Sequence, residues 1–186
     1  MTDDVEQLLA DKGALLRGHF QLASGRHADL YIEKFRILQW PDLTSELCRR
    51  IAEHFRGSVN MVVGPTTGGI ILSHETAKHL GLASLICEKR EGGAPGREFK
   101  RGFELGPGDR VLVVDDVLTT GGSVRDVIDA VTARGAEVAG VGMLVDRTGG
   151  TVDFGVPFYA CISLDVASWA PAECQRCREG VALTVT

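Results

Sequence analysis

No stretch of this 186-residue chain approaches membrane-spanning length, so a membrane partner is not expected. Met1-Thr2-Asp3-Asp4-Val5-Glu6 is acidic where a signal peptide needs positive charge and then an apolar run, so a secretory leader is not expected here. Five scattered cysteines, an odd number, argue against a disulfide framework and for a reducing, cytoplasmic setting. The net charge of −5 gives no overall basic field for nucleic acid. Aromatics are 6 % of the chain, so Trp40 and Trp169 read as packing residues rather than base-stacking platforms. Repeats and low-complexity tracts are missing too. Gly64-Pro65-Thr66-Thr67-Gly68-Gly69 lacks the Lys-Ser/Thr ending of a P-loop, and no G-x-G-x-x-G follows a strand, which removes support for ATP hydrolysis and dinucleotide binding. Cys174-x-x-Cys177 has no second close pair, so it reads as a tail with two thiols, with zinc shared across a dimer as the alternative. His74 and His79 are five apart where a zinc-protease helix needs four, and they read as ordinary helix residues.

What is present fits one domain of the α/β class. A 44 % hydrophobic composition over this length buries a substantial core. The order of elements is an amphipathic helix from about Asp4 to Leu16, a hairpin of His19–Ala23 and Ala28–Ile32 turning at Ser24-Gly25, and a helix from about Asp42 to Phe55. Strand Val59–Val63, helix Ile70–Leu80 stopped by Gly81, and strand Ala83–Cys87 follow; later strands are expected at Val138–Val145 and Phe158–Leu164. Strands separated by helices imply a parallel, helix-flanked sheet.

The most informative stretch runs from Val111 to Ser123. Val111-Leu112-Val113-Val114 suits a strand buried on both faces. Ser123 reads as an N-cap, and Val124, Val127, Ile128 and Val131 form one apolar helical face that ends at Gly135. The loop between them lies at a helix N-terminus and outside the carboxyl end of a strand, where α/β folds bind phosphorylated ligands. Gly121 and Gly122 let backbone N–H groups approach an anion, and Thr119, Thr120 and Ser123 add hydroxyl donors. Asp115 and Asp116 would repel a phosphate placed on them; they suit ribose hydroxyls or a hydrated cation. Asp146-Arg147 ends another strand, where the arginine suits a carboxylate. Lys89, Arg90, Arg97, Lys100 and Arg101 cluster in a glycine-rich segment, 88–105, which reads as a mobile cationic loop over a small polyanion.

Asp115 to Ser123 resembles the phosphoribosyl pyrophosphate (PRPP) loop of the type I phosphoribosyltransferases. The resemblance is nearest to the orotate branch of that family and spans nearly the whole chain: Gly18-His19-Phe20, Ser24-Gly25-Arg26 and Tyr31, Gly64-Pro65, Asp115 to Ser123, Val145-Asp146-Arg147 and the tail Pro171 to Gly180 match in order. It implies a parallel-sheet, Rossmann-like core at about 41–165 with a small N-terminal hood at about 1–40 and a tail at about 166–186. It further implies transfer of ribose 5-phosphate from PRPP to orotate, with Asp115, Asp116, Val117, Leu118, Thr119, Thr120, Gly121, Gly122 and Ser123 on PRPP. Lys89 and the loop of Thr66, Thr67, Gly68 and Gly69 would take the diphosphate; Thr119, Arg147 and Tyr31 would meet orotate; Lys100 or Arg101 would be the catalytic loop cation. Mg²⁺ held mainly by PRPP, without a dedicated protein cage, and a homodimer sharing the mobile loop are likewise implied. Ala23 and Gly68 stand where some members carry a basic residue, and the loop lacks the familiar Arg-Lys-x-x-Lys-x-His-Gly run. Two other readings fit the PRPP loop: transfer to another base, such as a purine, and a PRPP-sensing regulator that binds nucleic acid.

Overall fold

The computed structural model describes residues 2–22 and 24–186, without side-chain detail at 2 and 3; the expectations for Met1 and Ala23 lie outside the described residues. In chain order the elements are α1 (Thr2–Asp11), β1 (Leu15–Gln21), β2 (His27–Ile32), α2 (Lys34–Leu38), α3 (Pro41–Phe55), β3 (Met61–Pro65), α4 (Gly68–Leu80), β4 (Ala83–Lys89), β5 (Arg97–Glu98), β6 (Arg110–Leu118), α5 (Gly122–Thr132), β7 (Glu137–Asp146), β8 (Phe158–Ser163), β9 (Ser168–Trp169), α6 (Gln175–Arg178) and β10 (Thr184–Val185). The central sheet has the order β5-β4-β3-β6-β7-β8, parallel except where β5 folds back on β4. A second sheet, β10-β1-β2-β9, joins the first hairpin to the tail.

The valine run of β6 is buried on both faces. Val111 and Val113 pack with Val124, Val127 and Val131 of α5, whereas Leu112 and Val114 pack on the opposite side with Leu47 and Ile51 of α3 and with Val5 and Leu9 of α1. This two-sided burial explains why the strand reads as continuous apolar sequence rather than alternation. Among the described residues no helix is long and apolar enough to cross a membrane.

The chain path locates the crevice. After β3 the sheet grows in one direction to β4; from β6 it grows in the other, to β7 and β8, while β3 and β6 are neighbours. The topological switch point thus falls between the carboxyl ends of β3 and β6, where such sheets bind ligands.

Several expected boundaries shift. The first helix ends at Asp11 rather than Leu16, because Gly13 turns the chain at φ 63° and Leu15 and Leu16 are drawn into β1. The third strand is Met61–Pro65 instead of Val59–Val63, and α4 takes in Gly68 and Gly69. Short α2, five residues long, carries no periodic sequence signal of its own. β6 continues through Leu118, so Asp115 to Leu118 are strand rather than loop. Gly121, at φ 79°, caps α5, and Ser123 lies inside the first turn instead of serving as N-cap. Trp40 is exposed instead of packed in the core, with Lys12 Nζ 4.2 Å from its ring centroid.

Candidate active site

Two loops meet at the switch point. The first leaves β3 at Pro65, passes Thr66 and Thr67, whose peptide bond is cis, and enters α4 at Gly68. The second leaves β6 at Leu118 and enters α5 at Gly122. Each places the N–H groups of a first helical turn at the sheet edge, a ready anion site. Thr119, Thr120 and Gly122 are exposed there. Gly121 is required on two counts: its φ is positive, and a Cβ would lie 3.1 Å from Val152 and Phe154.

A buried guanidinium joins the loops. Arg97, 5 % exposed, donates through Nη1 to Thr66 Oγ1 and Cys87 O, both at 3.1 Å, and through Nη2 to Ser123 Oγ at 3.0 Å and Thr66 O at 3.3 Å. Sequence reasoning grouped Arg97 with the mobile cations. The structure corrects this: Arg97 pairs with Lys89 across the β4–β5 ladder, and its fork is committed to the protein. Within segment 88–105, the end of β4 and β5 form a short hairpin, and the residues that follow are irregular. Phe99 enters the core, Lys100 Nζ pairs with Glu91 at 2.8 Å and Glu98 at 3.6 Å, and Arg101 Nε pairs with Glu88 at 2.8 Å. Lys89 is exposed at the end of β4, on the same edge as the two loops.

The acidic pair is buried beside them. Asp115 Oδ1 accepts from the Asp116 amide at 2.9 Å, and Asp116 Oδ1 from the Val117 amide at 2.7 Å. Burial, and next the neighbouring Asp116, push the Asp115 carboxyl up to about 6. Lys34 Nζ, at the start of α2, stands 3.0 Å from Asp116 Oδ2 as an ion pair, yet that oxygen is buried with no aligned hydrogen bond among the described residues. Lys34 was missed by sequence reasoning, since a lone lysine in a short unpredicted helix carries no motif. Gly68 makes room for this pair: a Cβ there would sit 2.0 Å from Asp116 Oδ2.

A cavity of about 510 Å³ adjoins the PRPP-type loop and is lined by Tyr31, Thr119, Thr120 and Arg147, with Arg26 and Ser168 opposite. Three residues far apart in sequence, Tyr31, Thr119 and Arg147, are thereby brought to one space. Arg26 Nε donates to Ser168 Oγ at 3.0 Å, which ties the hood to the tail on one wall of this cavity. Arg147 follows β7, and its amide donates to Leu118 O at 3.0 Å. Asp146 is not a ligand candidate: it is 1 % exposed, and its Oδ1 accepts from Thr148 N at 2.8 Å and Thr148 Oγ1 at 2.7 Å, bending the chain so that Arg147 turns to the cavity. Burial pushes the Arg147 guanidinium down from its ordinary pKa, and its Nε is buried with no partner among the described residues. A desolvated cation with a free donor calls for an anionic, planar partner.

Comparisons with known proteins agree with this geometry. A family model described as the phosphoribosyl transferase domain matches residues 36–175. The chain is 46 % identical over 180 residues to the orotate phosphoribosyltransferase of Pelotomaculum thermopropionicum, covering 96 % of this chain and 93 % of that protein. It is 45 % identical to the enzyme of the same name from Heliobacterium modesticaldum, again over 96 % and 93 %. Among solved structures, the crystal structure of orotate phosphoribosyltransferase from Aeropyrum pernix superposes with a TM-score of 0.73 at 28 % identity, covering 86 % of this chain and 93 % of that one.

Proposed function

The chain belongs to the phosphoribosyl transferase family, and from that premise we infer how it transfers ribose 5-phosphate from PRPP to orotate, forming orotidine 5′-monophosphate and diphosphate in pyrimidine synthesis. The observation that carries the choice of base is Arg147, a buried cation with an unpartnered Nε on a cavity beside the PRPP-type loop. Orotate brings a carboxylate that a guanidinium binds in a two-pronged manner; uracil and the purines do not.

In this reading the 5-phosphate sits on the amides and hydroxyls of Thr119 to Ser123, and the ribose hydroxyls meet Asp115 and Asp116. Thr66 to Gly69 and Lys89 receive the diphosphate. Orotate lies against Tyr31, Thr119 and Arg147. The bond from the anomeric carbon to the diphosphate oxygen breaks, its electron pair leaves with diphosphate, and orotate N1 bonds to that carbon with loss of its proton. Positive charge develops on the ribose and negative charge on the leaving group, so fixed cations at the diphosphate end favour the transition state.

Mg²⁺ is proposed as the cofactor, held chiefly by PRPP. The residues fit this arrangement, since Asp115 and Asp116 supply two carboxylates with one oxygen of each already bonded to backbone, and Mg²⁺ commonly binds one or two carboxylates plus substrate phosphates. When bound, the ion offsets charge on the diphosphate. We also propose a cytoplasmic homodimer in which segment 88–105 opens toward the neighbouring site and delivers Lys100 or Arg101. The ion pairs holding those cations to Glu91 and Glu88 are at the surface, where exchange for a phosphate costs little.

The test is PRPP- and Mg²⁺-dependent turnover of orotate beside uracil, adenine, hypoxanthine and xanthine. Selective consumption of orotate is expected. Turnover of a purine with orotate untouched would overturn the assignment.

A further inference from the structure

Far along the chain from the PRPP loop, four metal-ligating side chains converge. His19 is on β1, His27 on β2, and in the tail Cys174 precedes the single turn of α6 while Cys177 lies within it. Gln21 pairs with His27 across the β1–β2 ladder, and His19 is two residues before Gln21, so strand alternation puts both imidazoles on one face. The turn of α6 brings the thiols together at a spacing of three, with the Arg178 amide donating to Cys174 O at 3.3 Å. One donor atom from each residue falls within 4.8 Å of all the others.

The three nitrogen-to-sulfur separations have the size of tetrahedron edges, and the two imidazole nitrogens, hydrogen-bonded to each other, need to part by only about 0.4 Å to reach it. His19 Nε2 is 2.9 Å from His27 Nδ1, 3.4 Å from Cys174 Sγ and 3.6 Å from Cys177 Sγ; Cys177 Sγ is 3.3 Å from His27 Nδ1. Zinc bonds of about 2.0–2.1 Å to nitrogen and about 2.3 Å to sulfur imply edges of roughly 3.3 to 3.8 Å around one ion. The outer bond is in place as well. His19 Nδ1–H donates to Val181 O at 2.8 Å, and because a carbonyl only accepts, this fixes the tautomer that turns the Nε2 lone pair toward His27 and both sulfurs. Cys174, His19 and His27 are 0 %, 3 % and 4 % exposed, so three of the four donors are removed from water, and Cys177 closes the set from the exposed side. The neighbours of Cys174 and Cys177 are histidines some 150 residues earlier in the chain, which no local spacing reveals.

We propose that His19, His27, Cys174 and Cys177 form a structural zinc site. Two imidazoles and two thiolates in a closed tetrahedral set, with no position left for substrate, match a structural rather than a catalytic zinc centre. The site anchors the tail to the hood. Residues 179–186 are exposed, yet β10 pairs with β1, and Thr186 lines the same cavity as Arg26 and Arg147, so the ion holds one wall of the base site in place.

The test uses the full chain purified under reducing conditions without chelator. Metal analysis is expected to find about one zinc per chain. Replacement by Co²⁺ should give strong sulfur-to-cobalt absorption and tetrahedral d–d bands, and chelation should lower the melting temperature until zinc is restored. Cys177→Ser and His27→Ala should each abolish stoichiometric zinc. If these variants fail to fold, the cobalt spectrum of the unaltered chain decides. Overturning results are a reduced chain that takes up neither zinc nor cobalt, variants that keep full zinc, and a Cys174–Cys177 disulfide trapped during purification.

Discussion

Arg97 donates to Ser123 Oγ at 3.0 Å while the same guanidinium holds Thr66 through its hydroxyl and its carbonyl, so one buried cation sets the spacing between the β3–α4 and β6–α5 loops. Arg97→Ala removes all of these bonds and leaves buried acceptors behind. The expected cost is about 2–4 kcal/mol of folding stability, with KM for PRPP raised at least about tenfold. Arg97→Lys keeps the charge but not the fork and should recover only part of either loss. Denaturant unfolding and PRPP kinetics check both.

Arg147 predicts the opposite pairing of effects. Its Nε has no partner among the described residues and its pKa is pushed down by burial, so the free protein gains little from its charge. Arg147→Ala should leave stability unchanged or higher, while kcat/KM for orotate falls about 10²- to 10³-fold through the lost charge-assisted pair. PRPP affinity, read by isothermal titration, should stay within about twofold, because Arg147 lies on the base side of the loop.

Asp115 yields a pH prediction. Its folded value of about 6 is above its ordinary 3.8, so the fold favours the protonated form. That contribution is full below about pH 4 and lost as pH rises through 6, leaving the ionised form a penalty of about 3 kcal/mol at neutral pH. Asp115→Asn, which mimics the neutral acid, should therefore melt higher than the unaltered chain at pH 8. The gap should close as pH falls toward 4, and activity should drop because a carboxylate is lost beside the ribose. Thermal melts across pH 4 to 8 without ligand test this; a constant gap would count against it.

How much of this was legible follows the range of the signals. β6 and α5 were readable because buried valines and a helical apolar stripe are local patterns, and the Gly64–Gly69 and Asp115–Ser123 loops because their chemistry is contiguous. Lys34, Arg97 and the histidines of the zinc-type cluster were not. Each acts through a contact made by the fold: Lys34 with Asp116, Arg97 with Ser123, His19 with Cys174. Composition even misled for Arg97, since a glycine-rich basic segment hides which of its cations turns inward. The boundary errors at β3 and β6 share one cause, because sheet pairing extended both strands past the residues that propensity favoured.

Gly68 separates packing from chemistry. Gly68 faces Asp116, and a Cβ would lie 2.0 Å from Oδ2 of that carboxylate. Gly68→Ala cannot be absorbed at the flexible end of a long chain. Asp116 is short, 5 % exposed, and held by the Val117 amide on one oxygen and Lys34 on the other. The carboxylate must therefore swing away, breaking the Lys34 pair and moving the acceptor that the proposed mechanism assigns to ribose. Overpacking of this kind costs about 1–3 kcal/mol, and the displaced carboxylate should raise KM for PRPP by more than about tenfold with a smaller change for orotate. Gly68→Ala combined with Asp116→Gly relieves the clash and should restore most of the stability while activity stays low. Recovery of activity in the double variant would show that Asp116 is dispensable and that the glycine serves packing alone.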